Sequence, residues 1–359
     1  MKWDADSLPR VHEDMPMIRR LCLTLFVALL SLPILANEVA LNPDHPDRYV
    51  VKKGDTLWDI SGMFLQHPWH WPEIWEVNPQ VENPHLIYPG DELTLTYRDG
   101  RPVLSVNRGK QTYKMSPEVR EIQLEKPIPT IAMSDIAPFL TKPKVVGAEV
   151  LDSAPYIVAS SDERLISGTG DFVYARGVTG EAGQNFSVFR GGKQYVDPDT
   201  GEVLGYEAIY TGDATVTEIG DPSTVDLTFT NREVQVGDRL LEVETDDFEM
   251  NFFPRAPEAA LNGRIISVFD GVSQVGQYQI IVINLGTRDG LEPGHVLSLY
   301  KAGETIRDQV TKDRFDEVTL PDEHAGEALV FRLFEKVSYA IVMKATRAVN
   351  LYDKVKSAE

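Results

Sequence analysis

The sequence predicts an α+β protein built in two parts. Residues 47–97 read as strand, helix, helix, strand. From residue 147 onward the chain turns into short alternating runs separated by glycines, with few helical patterns. Between the two lies a stretch, 98–146, carrying six prolines: Pro102, Pro117, Pro127, Pro129, Pro138 and Pro143. At 359 residues the chain suits two or three domains, and 42% hydrophobic content is enough for folded cores. The expected order is a small βααβ module, a Pro-rich connector, and a mainly β region at 147–359, barrel- or sandwich-like.

The N-terminus is expected to be a signal peptide spanning 1–36. Ile18-Arg19-Arg20 is a basic n-region, Leu21 to Leu35 carries no charge, and Ile34-Leu35-Ala36 is an acceptable cleavage site before Asn37. Met15 and Met17 are alternative starts. An uncleaved anchor is the competing reading, although the apolar run is short for a span and Pro33 interrupts its end. Cys22, the single cysteine, precedes the apolar core, so lipidation is not expected and the exported chain would have no disulfide. The predicted location is the periplasm, with no membrane span after cleavage.

In the module, Tyr49-Val50-Val51 is a short strand and Gly54 turns the chain. Asp55 is an expected N-cap for a helix from Thr56, with Leu57, Ile60 and Phe64 as its buried stripe. His67-Pro68 ends it. Pro72 opens a second helix, which Asn78-Pro79 stops. Pro89-Gly90-Asp91 makes a turn before the alternating strand Leu93, Leu95, Tyr97.

Four of the five tryptophans fall at 58, 69, 71 and 75. Helical spacing puts Trp71 and Trp75 on one face with Ile74, as core. Trp58 is a boundary residue, and Trp69 is the ring with the best claim to ligand contact. Each core ring hides roughly 150–250 Å², about 4–6 kcal/mol gross, which is large for a module of this size.

The connector is expected to hold one short helix opened by Ser116-Pro117. Its apolar spots, such as "IPTIAMSDIAPFL", are more than a free linker needs, so part of it should dock on the domain that follows. In the β region, four stretches pair a Gly-led strand with a later turn and strand: "GAEV" at Gly147 with "GDFVY", "GDATV" at Gly212 with "GDRLL", "GRIISV" at Gly263 with "GHVLSL", and "GEALV" at Gly326 with "YDKV". Internal duplication and the ordinary rhythm of β-hairpins both produce such a pattern.

The formal charge of −20 repels phosphates and anionic head groups, so neither nucleic acid nor a lipid surface is an expected partner. No metal or cofactor is expected. His67, His70 and His85 lack the spacing of a ligand set. "DPDTGE" at 197–202 departs from the calcium-loop pattern and is better read as a β-turn. No catalytic residue is assigned, because a thiol nucleophile is lost with the signal, and zinc-ligand motifs and G-x-S-x-G elbows are absent. A cryptic acid pair in the β region is the alternative, and would make the protein a wall-remodelling hydrolase.

Residues 49–95, with "YVVKKGDTLWDIS", "WPEIWEVNP" and "LIYPGDELTL" in sequence, resemble a LysM domain, the peptidoglycan- and chitin-binding module. The whole architecture, including "SPEVR", "IPTI" and "APFL", is similar to exported LysM proteins of Gram-negative bacteria. The resemblance implies two helices on one side of a two-stranded sheet. It also implies a shallow groove for N-acetylglucosamine-containing glycan. Gly54, Asp55, Thr56 and Leu57 would line one side, and Asn78, Pro79, Ile87 and Pro89 the other. A glycine turn and helix cap are the competing explanation of the first loop, and a C-cap role explains Asn78 equally well. The implied partners are peptidoglycan glycan strands and an envelope protein of unknown identity, the β region acting as a non-enzymatic adaptor or scaffold.

Overall fold

The computed structural model describes residues 39–75, 86–107, 127–131, 144–161, 164–243, 253–269, 274–311 and 315–358. The expected signal peptide at 1–36, Asn78, Pro79 and most of the connector lie outside the described residues. Leu41–Glu359 cluster as one unit.

The first sheet holds β1 (Arg48–Val50), β2 (Glu92–Arg98) and β3 (Arg101–Asn107), antiparallel in that order. β3 falls where prolines suggested connector. Pro102 sits opposite Tyr97, and seven residue pairs align β2 with β3. The Asp99-Gly100 turn makes this hairpin, with both residues at positive φ (52° and 80°), the geometry that two-residue hairpins require. Helix α1 (Leu57–Phe64) begins one residue later than expected. Its N-cap is Thr56, not Asp55: the Thr56 hydroxyl accepts the Asp59 N–H (3.1 Å) and donates to the Asp59 carboxylate (2.8 Å). A 3-10 turn, Pro68–His70, leads into α2 (Trp71–Ile74).

The strands that follow are β4 (Lys144–Val146), β5 (Tyr156–Ser160), β6 (Phe172–Arg176), β7 (Asn185–Val196), β8 (Val203–Glu218), β9 (Ser223–Thr230) and β10 (Arg239–Glu242). Then come β11 (Asn262–Val268), β12 (Gln274–Val275), β13 (Ile280–Ile283), β14 (Val296–Lys301), β15 (Thr305–Arg307), β16 (Glu317–Thr319), β17 (Glu323–Leu333), β18 (Ser338–Ala345), β19 (Val349–Asn350) and β20 (Lys354–Ser357). Helix α3 (Ala148–Ser153) lies between β4 and β5. The "GAEV" stretch expected as a strand is therefore helical. Ala, Glu and Leu favour helix, and Gly147 is its cap.

Two six-stranded rings emerge. β5-β6-β9-β8-β7-β10 is closed by the β8–β9 and β10–β5 pairings, with β4 added beside β8. β11-β13-β18-β17-β14-β20 is a closed barrel. Numbered along the chain within each ring, both run 1-2-5-4-3-6. The correspondence reaches individual residues. In the fourth strands, Gly212 and Gly326 each lie where a Cβ would stand inside 3.0 Å of a fifth-strand carbonyl oxygen, Phe229 or Lys344. The preceding residue, Thr211 or Ala325, accepts two successive amides, from Asn231 and Arg232 or from Thr346 and Arg347. In the first strands, Ile157 exchanges backbone bonds with Gly237 and Asp238, and Ile265 does so with Tyr352 and Asp353. The repeat is thus a pair of rings rather than four strand pairs.

A single turn type recurs at 52–55, 88–91, 168–171, 235–238 and 350–353. Its third residue has positive φ (Gly54, Gly90, Gly170, Gly237, Tyr352). Its fourth, an aspartate, accepts the N–H of the first at 2.7–3.0 Å. At 292–295 His295 Nδ1 takes the aspartate's part (3.1 Å), with Gly294 at φ 91°. The Gly-Asp pairs of "GDFVY" and "GDRLL", expected as turns leading into strands, are two of these turns, whereas that of "GDATV" lies inside β8.

Candidate binding groove

The βααβ module presents two loops at one end of its sheet. In the first, Gly54 (φ 98°) lets Asp55 turn back, and the Asp55 carboxylate accepts from Lys52 N–H and the Tyr49 hydroxyl, both at 2.8 Å. Burial, and then this carboxylate, hold the Tyr49 phenol above its ordinary pKa. In the second, Asp91 accepts Tyr88 N–H (3.0 Å) beside Pro89. Val51 joins the loops through Val51 N–H to Asp91 O (2.9 Å) and Gly90 N–H to Val51 O (2.8 Å). Gly54 and Asp55 are thus accounted for by turn geometry. Thr56, Leu57 and Ile87 form a buried floor, and Pro89 is half-buried at the edge. Asn78 and Pro79, on the far wall of the expected groove, lie outside the described residues.

Residues 127–131 run between these loops. Leu57 N–H donates to Pro129 O (3.0 Å) and Trp58 N–H to Thr130 O (3.1 Å). These are amides of the first turn of α1, which has no carbonyl of its own to offer them. From the opposite side Ile128 N–H donates to Ile87 O (2.8 Å). Ile128, Thr130 and Ile131 are buried, while Pro127 is exposed. Among the described residues, the connector's "IPTI" docks through its backbone on the module itself, a surface its apolar content did not point to, and through Ile131 on the domain that follows. Only Ile131 continues into the core shared with the second ring. The clue in the sequence was the apolar run itself; which surface it covers is a long-range pairing that no local pattern encodes.

The tryptophans divide differently from expectation. Trp71 and Trp75 form a T-shaped core pair with centroids 5.8 Å apart. Trp58 and Trp69, 4% and 5% exposed, are buried with Ile341, Met343 and Ile280 of the second ring. Trp69 also stacks on His70 at 3.7 Å. It is a packing residue, and its assignment as the ring free for ligand is overturned. His67 and His70 are held by carboxylates, Glu327 at 2.9 Å and Glu73 at 2.6 Å. The module is fixed further by Tyr278 OH to Asp59 (3.3 Å) and Lys344 Nζ to Gln66 O (3.4 Å).

A second concavity, 490 Å³, lies where the 197–200 turn meets the second ring. Its charges answer one another. Asp197 accepts Asp199 and Thr200 N–H (both 2.9 Å) and the Asn284 amide (2.7 Å), completing the β-turn expected for "DPDTGE". Arg264 bonds Asp199 (2.6 Å). Lys354, then its backbone and Lys356 partners, hold Asp322 down at about 2 against partial burial. Beside it Glu202, joined to Arg288 and Lys336, is also pulled down to about 2.

Residues 49–96 match the LysM domain family. This segment is a LysM domain, a peptidoglycan-binding module. The chain is also similar to the uncharacterized protein YqbP of Bacillus subtilis (strain 168), 40% identical over 60 residues, which is 14% of this chain and 27% of that protein. The match therefore spans little more than a quarter of that relative's length. The LysM domain of the present chain ends in the family at residue 96, while its sheet continues through β3. Among the described residues no helix is long and apolar enough to cross a membrane.

Proposed function

We propose that this protein is a non-enzymatic component of the periplasm of a Gram-negative cell. Its LysM domain binds N-acetylglucosamine-containing glycan of peptidoglycan, and its paired β-rings serve as adaptor or scaffold toward another envelope protein. The observation that carries the reading is the LysM match set on a groove whose donors and acceptors are backbone amides. Leu57 N–H, Trp58 N–H and Ile87 O, engaged in the structure by residues 127–131, are of the chemistry a neutral acetamido sugar needs, and Leu57 and Ile87 make the floor largely apolar. One module gives weak affinity, so retention on the wall is modest and reversible.

The non-enzymatic part of the proposal draws support from the carboxylates. At the second concavity the carboxylate of Asp322 is engaged by Lys354 and Lys356, and nearby Glu202 is engaged by Arg288 and Lys336. The buried Asp238 is bound by Arg190 at 2.9 and 3.0 Å.

The test is incubation of the exported form with purified sacculi. We expect co-sedimentation without release of soluble fragments. Binding should strengthen as salt rises toward about 0.15 M, because residues 47–97 carry three Lys or Arg against eight Asp or Glu and murein peptides are also acidic. Released fragments would favour the hydrolase reading, and absence of sedimentation at any salt would end the glycan assignment.

A further inference from the structure

The groove described above is already filled, and by this chain. The occupant is chemically apt. Pro127 and Pro129 have no N–H and favour an extended backbone, so the segment presents the Pro129 carbonyl to the groove with no proline donor to satisfy. Pro129 O and Thr130 O receive the helix-start amides of Leu57 and Trp58, while Ile128 N–H reaches Ile87 O. An acetamido group presents the same two kinds of partner, a carbonyl acceptor and an N–H donor, so two successive N-acetyl groups supply the two acceptors and the donor that the segment supplies. The apolar Ile128 covers the floor that a sugar methyl would otherwise touch.

We propose that residues 127–131 are an internal ligand of the LysM groove, occupying the seats of the N-acetyl groups, so that glycan binds only when this segment leaves. The inference rests on the glycan reading above and adds its regulation. A groove open for a fraction of the time binds with an affinity reduced by that fraction. The segment's own anchoring at Ile131, in the core shared with the second ring, means that whatever disturbs the module's seat on that ring also loosens the plug. Capture of the wall and the state of the β-rings are thereby linked.

Two measurements on the full chain decide it. The first is titration with the hexamer of N-acetylglucosamine, comparing the parent with Ile128→Asp, which places a charge in the apolar seat. We expect the variant to bind about tenfold or more tightly, as the occluded fraction is released. A folded variant, checked by circular dichroism, that binds no more tightly than the parent refutes the internal ligand while leaving glycan binding intact. The second uses the unmodified protein. Amide hydrogen exchange is followed with and without saturating hexamer. Ile128 should become fast-exchanging, while Leu57 and Trp58 stay protected because the sugar replaces Pro129 and Thr130 as acceptor. Ile128 remaining protected in the sugar-bound protein overturns the proposal even if the variant fails to fold. If neither form binds the hexamer and neither sediments with sacculi, both this inference and the glycan reading fall.

Discussion

The two six-stranded rings follow one chain path, yet their strands are written differently. In the first ring β6 alternates: Phe172, Tyr174 and Arg176 face outward, Val173 and Ala175 inward. In the second, β13 reads Ile-Ile-Val-Ile and is buried at every position, and β18 is buried through its first six. The inner residues of the two rings do the same work, Val173, Val188 and Leu227 in one, Ile281, Leu297 and Val330 in the other. What differs is the outside. The outer residues Ile280, Val282, Leu329, Phe331, Tyr339, Ile341 and Met343 of the second ring are covered by Trp58, Trp69 and Ile131 on one side of the sequence and by Tyr195 and Leu204 of the β7–β8 hairpin on the other. The same architecture is thus a half-wet barrel in one copy and a hub buried on both faces along β13, β17 and β18 in the other, and the hub is where the LysM module is attached.

The largest effect that would test this difference comes from the cover. Trp69→Ala removes a buried ring from the joint between module and second ring and should cost about 3–5 kcal/mol. Tyr174→Ala, on the outward face of the first ring, should cost far less, about 0.5 kcal/mol. Thermal denaturation of the two variants measures the contrast. Equal losses would mean that the tryptophan cover does not distinguish the rings.

An effect of intermediate size tests the likeness rather than the difference. Gly212 and Gly326 occupy the same seat in the fourth strand, each against a carbonyl of the fifth. Alanine at either should force the strands apart, at about 1–3 kcal/mol each. Denaturant titration showing one glycine tolerant and the other not would break the equivalence inferred from the ring order.

Much of this was legible from local pattern. The βααβ order, the Trp71–Trp75 core, the turn at 197–202 and the β character of 147–359 all rest on spacing and turn residues that act within a few positions. The repeat was legible only in part. Gly212 and Gly326 stood among four Gly-led starts, and in the structure both fourth strands crowd a fifth-strand carbonyl at that glycine, whereas Gly263, grouped with them, lies in a first strand. Gly147 was joined to them because its neighbours spell a strand-like tetrapeptide, although Ala148–Ser153 gains more as a helix. Asp55 passed for a cap because aspartate serves helix starts and this turn type equally well; only the hydrogen bond from Lys52 N–H separates them. In the groove, Leu57 and Ile87 were placed by motif, but its occupant was invisible. Residues 127–131 meet the module from well beyond β3 in the chain, and Trp69 turns inward only because a ring more than two hundred residues later lies over it.

The smallest expected effect isolates one substitution within the shared turn. Where five turns use aspartate as acceptor, the turn before β14 uses His295, whose Nδ1 must be unprotonated to accept Glu292 N–H. Burial, and then the nearby Arg255, push its pKa below the ordinary 6.5, with Glu292 and Glu258 opposing. Between the folded and unfolded values only the unfolded chain takes up the proton. Stability from this group is therefore complete above 6.5 and is lost as pH falls through the lower folded value. The amount should be about 1 kcal/mol, one partly buried hydrogen bond. The corresponding turns of the first ring use aspartate, not histidine, as the acceptor. His295→Asp restores the usual acceptor, so it should abolish the loss between pH 7 and 5 seen in the parent by thermal denaturation. A parent whose midpoint does not move over that range, or a variant that moves as much, would show that the histidine turn is not where the rings diverge in acid.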